Sequence, residues 1–240
     1  MLSNTKTTTG SNEYTEQIQN YKDNGFCLIS DLFNKNSLVG IWNKLEKQSI
    51  TETEKSLNVY FESNNKNIRR IEGLFDGMPE TQEYHQCIIN ILKPIISSPM
   101  LFKDKLNYKL PGLNTGFRAH IDGHFYFPLE QDNKQVMIDG WNYYATNFVN
   151  VLIPLLPMNT LNGCLELAKS NQTNDILGSS CKSITEKLGE DAPFLPKGIE
   201  QRFTFEEITA EPGDVIIFDW KCAHRSADNL SEVPRPGLYL

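Results

Sequence analysis

Apolar residues recur along the first third of the chain at the three-and-four spacing of helices, and from Leu101 onward they fall into short alternating or continuous runs. Tyr14, Ile18 and Tyr21 stand at i, i+4, i+7, and Gly25 follows where a left-handed C-cap belongs. Phe26 to Ile29 reads as a short strand. Ser37 is placed to N-cap a helix whose buried stripe is Leu38, Ile41, Trp42 and Leu45. A third helix carries Tyr84, Cys87, Ile88 and Ile91 and must stop near Lys93, because Pro94 cannot continue it.

Short runs divided by Pro, Gly and Asn are the mark of a β-sandwich or barrel. The expected strands are Lys105 to Lys109, Phe117 to Ala119, His124 to Phe127, Phe148 to Leu155, Cys164 to Leu167, Arg202 to Ile208, Val215 to Phe218 and Pro236 to Leu240. Pro111-Gly112, Asn162-Gly163 and Pro212-Gly213 mark turns. Two polar stretches, Glu130 to Asp139 and Asn171 to Glu200, read as long loops of the kind that form lids or binding loops. The expected organisation is a disordered tail over residues 1–12 and a single domain over 13–240, helical to about residue 100 and β-rich thereafter.

Charge narrows the partners. Thirty acidic residues against 23 basic ones give a net charge of -7, which opposes binding to nucleic acid or to anionic membrane surfaces. The first dozen residues lack the apolar stretch of a signal peptide, and no run is long enough to span a bilayer. Five scattered cysteines with no C-x-x-C pair read as reduced thiols, so a cytoplasmic protein is expected.

Chemistry concentrates in two places. His120-Ile121-Asp122 lies at a probable strand end, and alternate strand residues share a face, so His120 and Asp122 can address one ion. His224, just after the strand Val215 to Phe218, can close the set, because antiparallel sheets bring distant segments together. Two imidazoles and one carboxylate leave open positions on an octahedral metal, the arrangement of non-haem Fe(II) oxygenases, whereas structural zinc prefers a closed tetrahedral set. The bland alternative is a surface polar pair plus a satisfied core histidine.

From about Tyr21 to the C-terminus the chain resembles the phytanoyl-CoA dioxygenase family of Fe(II)/2-oxoglutarate-dependent oxygenases. The resemblance is carried by Asn24-Gly25-Phe26, by Lys109-Leu110-Pro111-Gly112 leading into Ala119 to Pro128, by Asn162 to Leu167, by Pro212-Gly213-Asp214-Val215, and by His224 to Asn229 with Ser231 and Arg235. It implies a double-stranded β-helix, a jelly roll of cupin-like type with flanking N-terminal helices. It implies Fe(II) held by His120, Asp122 and His224, with 2-oxoglutarate and O2 as co-substrates. It also implies that Arg235, eleven positions after His224, offers its planar fork to the distal carboxylate of 2-oxoglutarate.

Other residues stay open between two roles. Lys109 either reaches 2-oxoglutarate or an anionic substrate, or is an ordinary solvated lysine. His124 and Tyr126 share the parity of Asp122 and either face the substrate or pack the barrel mouth, and Trp141 is a substrate wall or a loop anchor. Arg225 should point away from the site, Asp214 and Ser226 should hold turns, and Cys222 should be a small buried hydrophobe. Many family members follow the Asn-Gly-Cys-Leu segment with Pro-Gly-Ser-His, whereas this chain has Ala168-Lys169-Ser170-Asn171. The expected activity is oxidation of an unactivated C–H of a small metabolite with release of succinate and CO2, with an acyl-CoA 2-hydroxylase and a non-catalytic metal-binding cupin-like module as rival readings. Asp122 fills the ligand position that a halogenase would leave for chloride.

Overall fold

The computed structural model describes residues 14–47, 57–62, 66–122, 126–131, 134–139, 145, 147–178 and 194–240, with the backbone alone for 126–131 and 134–139. The first helix, α1 (Thr15–Asn24), buries Ile18 and Tyr21 and ends at Gly25, whose φ of 86° only glycine adopts freely. A Cβ at Gly25 would meet Ser170 and Cys222 under 3 Å away, so the close approach needs glycine as much as the backbone angle does. The next helix, α2 (Lys35–Lys47), starts earlier than its apolar stripe suggests. Asn34, not Ser37, supplies the cap, its Oδ1 accepting the Ser37 N–H at 3.1 Å. Two further helices, α3 (Leu74–Gly77) and α4 (Gln82–Leu92), complete the helical layer, and α4 stops at Lys93 before Pro94.

Thirteen strands are described: β1 (Phe26–Ile29), β2 (Asn58–Phe61), β3 (Ile68–Glu72), β4 (Lys105–Asn107), β5 (Phe117–His120), β6 (Tyr126–Gln131), β7 (Lys134–Asp139), β8 (Val149–Pro154), β9 (Leu165–Leu167), β10 (Glu206–Ile208), β11 (Val215–Asp219), β12 (His224–Ser226) and β13 (Gly237–Tyr239). They form a seven-stranded sheet in the order β1-β11-β8-β13-β4-β3-β2, a four-stranded sheet in the order β10-β9-β12-β5, and the hairpin β6-β7. All named strand pairs are antiparallel. The two larger sheets make the expected jelly-roll sandwich of cupin-like type.

Alternation along each strand of the large sheet builds two cores. Val151, Ile153, Val215, Ile217, Ile71, Leu106 and Leu238 face outward and bury the helices' Leu38, Trp42, Leu45 and Ile88. Leu152, Ile216 and Phe218 face inward and pack against Leu165 and Leu167 of the small sheet. The small sheet thus lies over one face of the large sheet, the helices over the other.

Three expectations fail in instructive ways. The helical first third also holds β2 and β3, which bring one fully buried apolar side chain, Ile71, and otherwise polar or half-buried ones. The stretch Glu130 to Asp139 is not a loop; most of it belongs to the β6-β7 hairpin, whose pairing runs from Tyr126↔Asp139 to Gln131↔Lys134. Asn171 to Glu200 contains α5 (Ser170–Leu177) and α6 (Lys197–Glu200), with residues 179–193 outside the described ones. Strand ends also shift: Arg202 to Ile208 narrows to β10, because Gln172 instead holds Thr204 through both backbone groups. Among the described residues, no helix is long and apolar enough to cross a membrane.

A buried carboxylate ties the helical layer to the sheet. Asp104, next to β4, accepts the Gly73 N–H at 2.9 Å and the Phe75 N–H at 2.5 Å, and His85 Nε2 on α4 stands 3.4 Å away. Burial pushes the Asp104 carboxyl upward, but His85 and the two backbone donors outweigh it and hold the pKa below the usual carboxylate value. A depressed acid stabilises the fold above its unfolded pKa of about 3.9 and loses that contribution as the pH falls through the folded value. We expect Asp104→Asn to cost about 1–3 kcal/mol at neutral pH, with the gap to wild type closing below about pH 4. Chemical denaturation of both proteins across that range checks this, and a pH-independent gap would contradict it.

Candidate active site

The small sheet sets two histidines side by side by ordinary backbone pairing. His224, the first residue of β12, lies directly opposite His120, the last residue of β5, and the register then slips before Ser226. The rings are 4.1 Å apart centre to centre and tilted by 52°. Asp122, two residues beyond the strand end, turns back so that Oδ1 lies 3.6 Å from His120 Nε2 and Oδ2 lies 3.6 Å from His224 Nε2. Ile121 between them is fully buried. One ligand atom from each of the three residues falls within 4.8 Å of the others.

Backbone carbonyls select the ring nitrogens. His120 Nδ1 is 2.7 Å from Arg118 O and His224 Nδ1 is 3.1 Å from Cys222 O. A carbonyl can only accept, so each Nδ1 carries the proton and each Nε2 presents a lone pair toward Asp122. Burial lowers the His120 pKa and the neighbouring His224 lowers it further, which favours the neutral ring that binds metal. Burial pushes the Asp122 carboxyl up, but His224, His120 and Lys105 around it outweigh that and keep it ionised. Two neutral Nε2 donors and one carboxylate, converging on one point from two strand ends, fit a divalent metal with open coordination positions.

Behind the triad two buried cations sit together. Arg235, only 3% exposed, precedes β13, and its backbone N–H donates to Lys109 O at 3.1 Å. Its Nε is buried with no hydrogen-bond partner among the described residues, and one terminal nitrogen meets only Met158 Sδ at 3.4 Å. Lys109, 5% exposed with a left-handed φ of 39°, donates from Nζ to Thr115 O at 3.0 Å and Ser226 Oγ at 2.9 Å. Burial first, and then the charge of Arg235, push the Lys109 pKa down to about 7. Among the described residues neither cation has a carboxylate in ion-pair contact, although a buried charge is normally paired.

Other expected residues fall elsewhere. Arg225 points outward and binds Glu166 and Glu200 at 2.8 and 2.7 Å. Asp214 holds its turn by accepting the Asp31 and Glu211 N–H groups, and Cys222 is fully buried against Gly25 O. Ser226 does not hold a turn but fixes Lys109 Nζ, while Asn229 clasps Lys109 O and Val233 O. His124 and Trp141 lie outside the described residues, and Tyr126 is described only as backbone of β6. Lys105 and Asn150 were not expected near the triad, yet both act on Asp122; their strand parity with buried neighbours was the available signal.

A jelly roll with an open triad at the mouth of its small sheet defines a metal-dependent oxygenase class, and comparison with known proteins narrows it. The phytanoyl-CoA dioxygenase (PhyH) family model matches residues 21–237. The dioxygenase lolE1 of Epichloe uncinata is 24% identical over 238 residues, covering 93% of this chain and 80% of that protein. A 2-aminoethylphosphonate dioxygenase from uncultured bacterium HF130_AEPn_1 is 26% identical over 239 residues, 94% of this chain and 79% of its own. The crystal structure of EctD from S. alaskensis with 2-oxoglutarate and 5-hydroxyectoine shares the fold, with a TM-score of 0.69 at 15% identity over 100% of this chain and 80% of that one. The chain belongs to the phytanoyl-CoA dioxygenase family. It is a non-haem Fe(II)/2-oxoglutarate-dependent dioxygenase acting on small molecules.

Gly163 is the tightest point of the pocket's rear wall. Its φ is +68°, and a Cβ there would stand 2.2 Å from Ala227 O and 2.7 Å from Lys109 Cε. Gly163→Ala is expected to lower the melting temperature by several degrees, since the left-handed angle alone costs about 1–2 kcal/mol before the clash is counted. A variant melting with wild type would show that the turn does not press on Lys109.

Proposed function

We propose that His120, Asp122 and His224 hold Fe(II), and that Arg235 and Lys109 take the distal carboxylate of 2-oxoglutarate, in an enzyme that oxidises an unactivated C–H of a small metabolite and releases succinate and CO2. The carrying observation is the coincidence, linked by the Lys109–Ser226 hydrogen bond, of a donor set with open positions and a buried cationic pocket with no acid in ion-pair contact among the described residues. Bound Fe(II) supplies the activation of O2 that couples decarboxylation of 2-oxoglutarate to substrate oxidation. The protein's residues supply position and dryness. Arg118 O and Cys222 O hold the imidazoles in the ligating tautomer, Arg235 and Lys109 orient the co-substrate, and Leu152, Leu167 and Phe218 exclude water behind the triad.

The unit proposed to do this is residues 13–240 as one oxygenase domain, supported by the family match across 21–237. Similarity to a 2-aminoethylphosphonate dioxygenase over nearly the whole chain supports a small polar metabolite over an acyl-CoA thioester. Cys27, Cys87, Cys164 and Cys222 are free thiols, which supports a reducing, cytoplasmic setting.

Anaerobic addition of Fe(II) and 2-oxoglutarate is expected to produce the visible metal-to-keto-acid charge-transfer band, and its absence would sink this reading. Asp122→Ala should abolish turnover. Arg235→Ala should leave metal binding intact and weaken 2-oxoglutarate by roughly 10- to 150-fold, the loss of a charge-assisted contact of about 1.5–3 kcal/mol. Full activity in both variants would place the site elsewhere.

Lys109 adds a pH signature. Its depressed pKa of about 7 means the ammonium is lost as the pH rises through that value. An anion favours the protonated form, so 2-oxoglutarate affinity should fall progressively between about pH 6 and 9. Titration of the charge-transfer band in wild type and Lys109→Met checks the sign: the variant should bind weakly with a flat profile, and a wild-type affinity that rises with pH would contradict the assignment.

A further inference from the structure

The inner face of the large sheet changes character from one edge to the other. On β11 and β8 it is apolar, with Ile216, Phe218 and Leu152 packed on the small sheet. Across β13, β4 and β3 the side chains alternating with the outward-facing Leu238, Leu106 and Ile71 are Tyr239, Lys105 and Glu72. Register sets Leu152, Tyr239, Lys105 and Glu72 in one row across the sheet.

Lys105 is the unusual member of that row. Its Nζ stands 5.3 Å from the Tyr239 ring centre, directly across the strand pair. The adjacent acid is already engaged, Glu72 lying 3.0 Å from Arg70 Nε and 2.9 Å from Lys103 Nζ. Among the described residues Lys105 has neither a hydrogen bond nor an ion pair of its own. Its charge nevertheless acts on both Asp122 and His120, so it lies at the triad's side. Burial depresses its pKa, and Asp122 is the foremost group opposing that. Once Asp122 is committed to a divalent cation, Lys105 keeps only Glu72, already shared by Arg70 and Lys103, to answer its charge. Asn150 stands on the same inner face, paired with Phe218, and its buried amide acts on Asp122 without closing a full hydrogen bond.

We propose that Lys105, with Asn150 beside it, anchors an oxyanion of the substrate, so that the substrate is a small carboxylate or phosphonate whose acid group docks on the large sheet while its reacting carbon faces the triad. This rests on the Fe(II)/2-oxoglutarate reading above, in which both carboxylates of 2-oxoglutarate are accounted for elsewhere, the distal one by Arg235 and Lys109 and the other at the metal. Lysine suits the role as a compact point charge that accepts either oxyanion geometry, and the neighbouring amide adds a directed donor.

Calorimetric titration into the full chain loaded with Ni(II) and 2-oxoglutarate tests this without requiring turnover. The probes are acetate, β-alanine, methylphosphonate and 2-aminoethylphosphonate, against uncharged-tail 2-aminoethanol, with wild type, Lys105→Met and Lys105→Arg. At least one acid should bind wild type at least tenfold more tightly than 2-aminoethanol, and the preferred acid tells carboxylate from phosphonate. Lys105→Met should lose that acid by tenfold or more, and Lys105→Arg should retain it within a few-fold. The affinity for 2-oxoglutarate, measured first and separately, should change by less than about twofold in both variants. Failure of wild type to bind 2-oxoglutarate would speak against the underlying function, whereas normal 2-oxoglutarate binding with no acid bound, or with acid and alcohol bound alike, would overturn the substrate assignment. So would a Lys105→Met variant that loses 2-oxoglutarate instead of the acid. Removal of an unpaired cation should leave the melting temperature of Lys105→Met at or above that of wild type, and Lys105→Gln serves if that variant fails to fold.

Discussion

Everything at the site depends on one strand pairing. Because β12 lies hydrogen-bonded between β9 and β5, His224 is opposite Leu167 on one side and His120 on the other. Two residues far apart in sequence are therefore neighbours through the backbone alone. The pairing also bears on charge, since burial and the His224 ring 4.1 Å away both disfavour a second, charging proton on His120. The register slip after His224 changes the pairing just where the chain passes to Ser226, whose hydroxyl reaches Lys109 instead of a turn partner. One irregular ladder thus joins the proposed metal-binding side chains to the proposed co-substrate pocket.

The second constraint is electrostatic. Buried cations are normally paired, because desolvating a charge without a counter-ion costs several kcal/mol. Arg225 obeys that rule on the outer face of the small sheet, where Glu166 and Glu200 both grip it. Inside the sandwich the buried Arg235 and Lys109 and the half-buried Lys105 have no such ion-pair partners among the described residues, and desolvation shifts both lysines toward neutrality. A fold selected for stability alone would place apolar side chains at those positions. Retaining three cations there makes stability depend on acids that arrive with the ligands, and ligand binding should then stiffen and stabilise the chain.

Much of this is legible in the sequence, and the boundary has physical causes. Near-continuous apolar runs located β8 and β11, and the helical apolar stripes located α1, α2 and α4. The short motif around His120 and Asp122 was readable because strand parity and chemistry agree there. What escaped was held by tertiary context. The strands β2 and β3 contribute a single fully buried apolar residue, Ile71, so no periodic signal announces them. The hairpin β6-β7 is masked in sequence by its polar residues, and the first cap of α2 was misplaced because Asn34 lies outside the apolar stripe. Lys105 and Asn150 were invisible for a different reason: a polar residue on a strand looks solvent-facing until the register shows which sheet lies over it.

The segment after β9 explains why recognition should fall to the large sheet. Asn171 is exposed, and the chain goes directly into α5 at Ser170. Thr173 on α5 donates to Lys221 O at 2.6 Å, Ala168 N–H bonds Ala223 O, and Ser170 sits so close to Gly25 that no side chain fits between them. These contacts draw α5 behind the β11–β12 turn and away from the open side of the triad. The polar wall beside Asp122 is the one on β4 and β8, where Lys105 and Asn150 stand, and it is there that a substrate can be told from other small molecules by its charge.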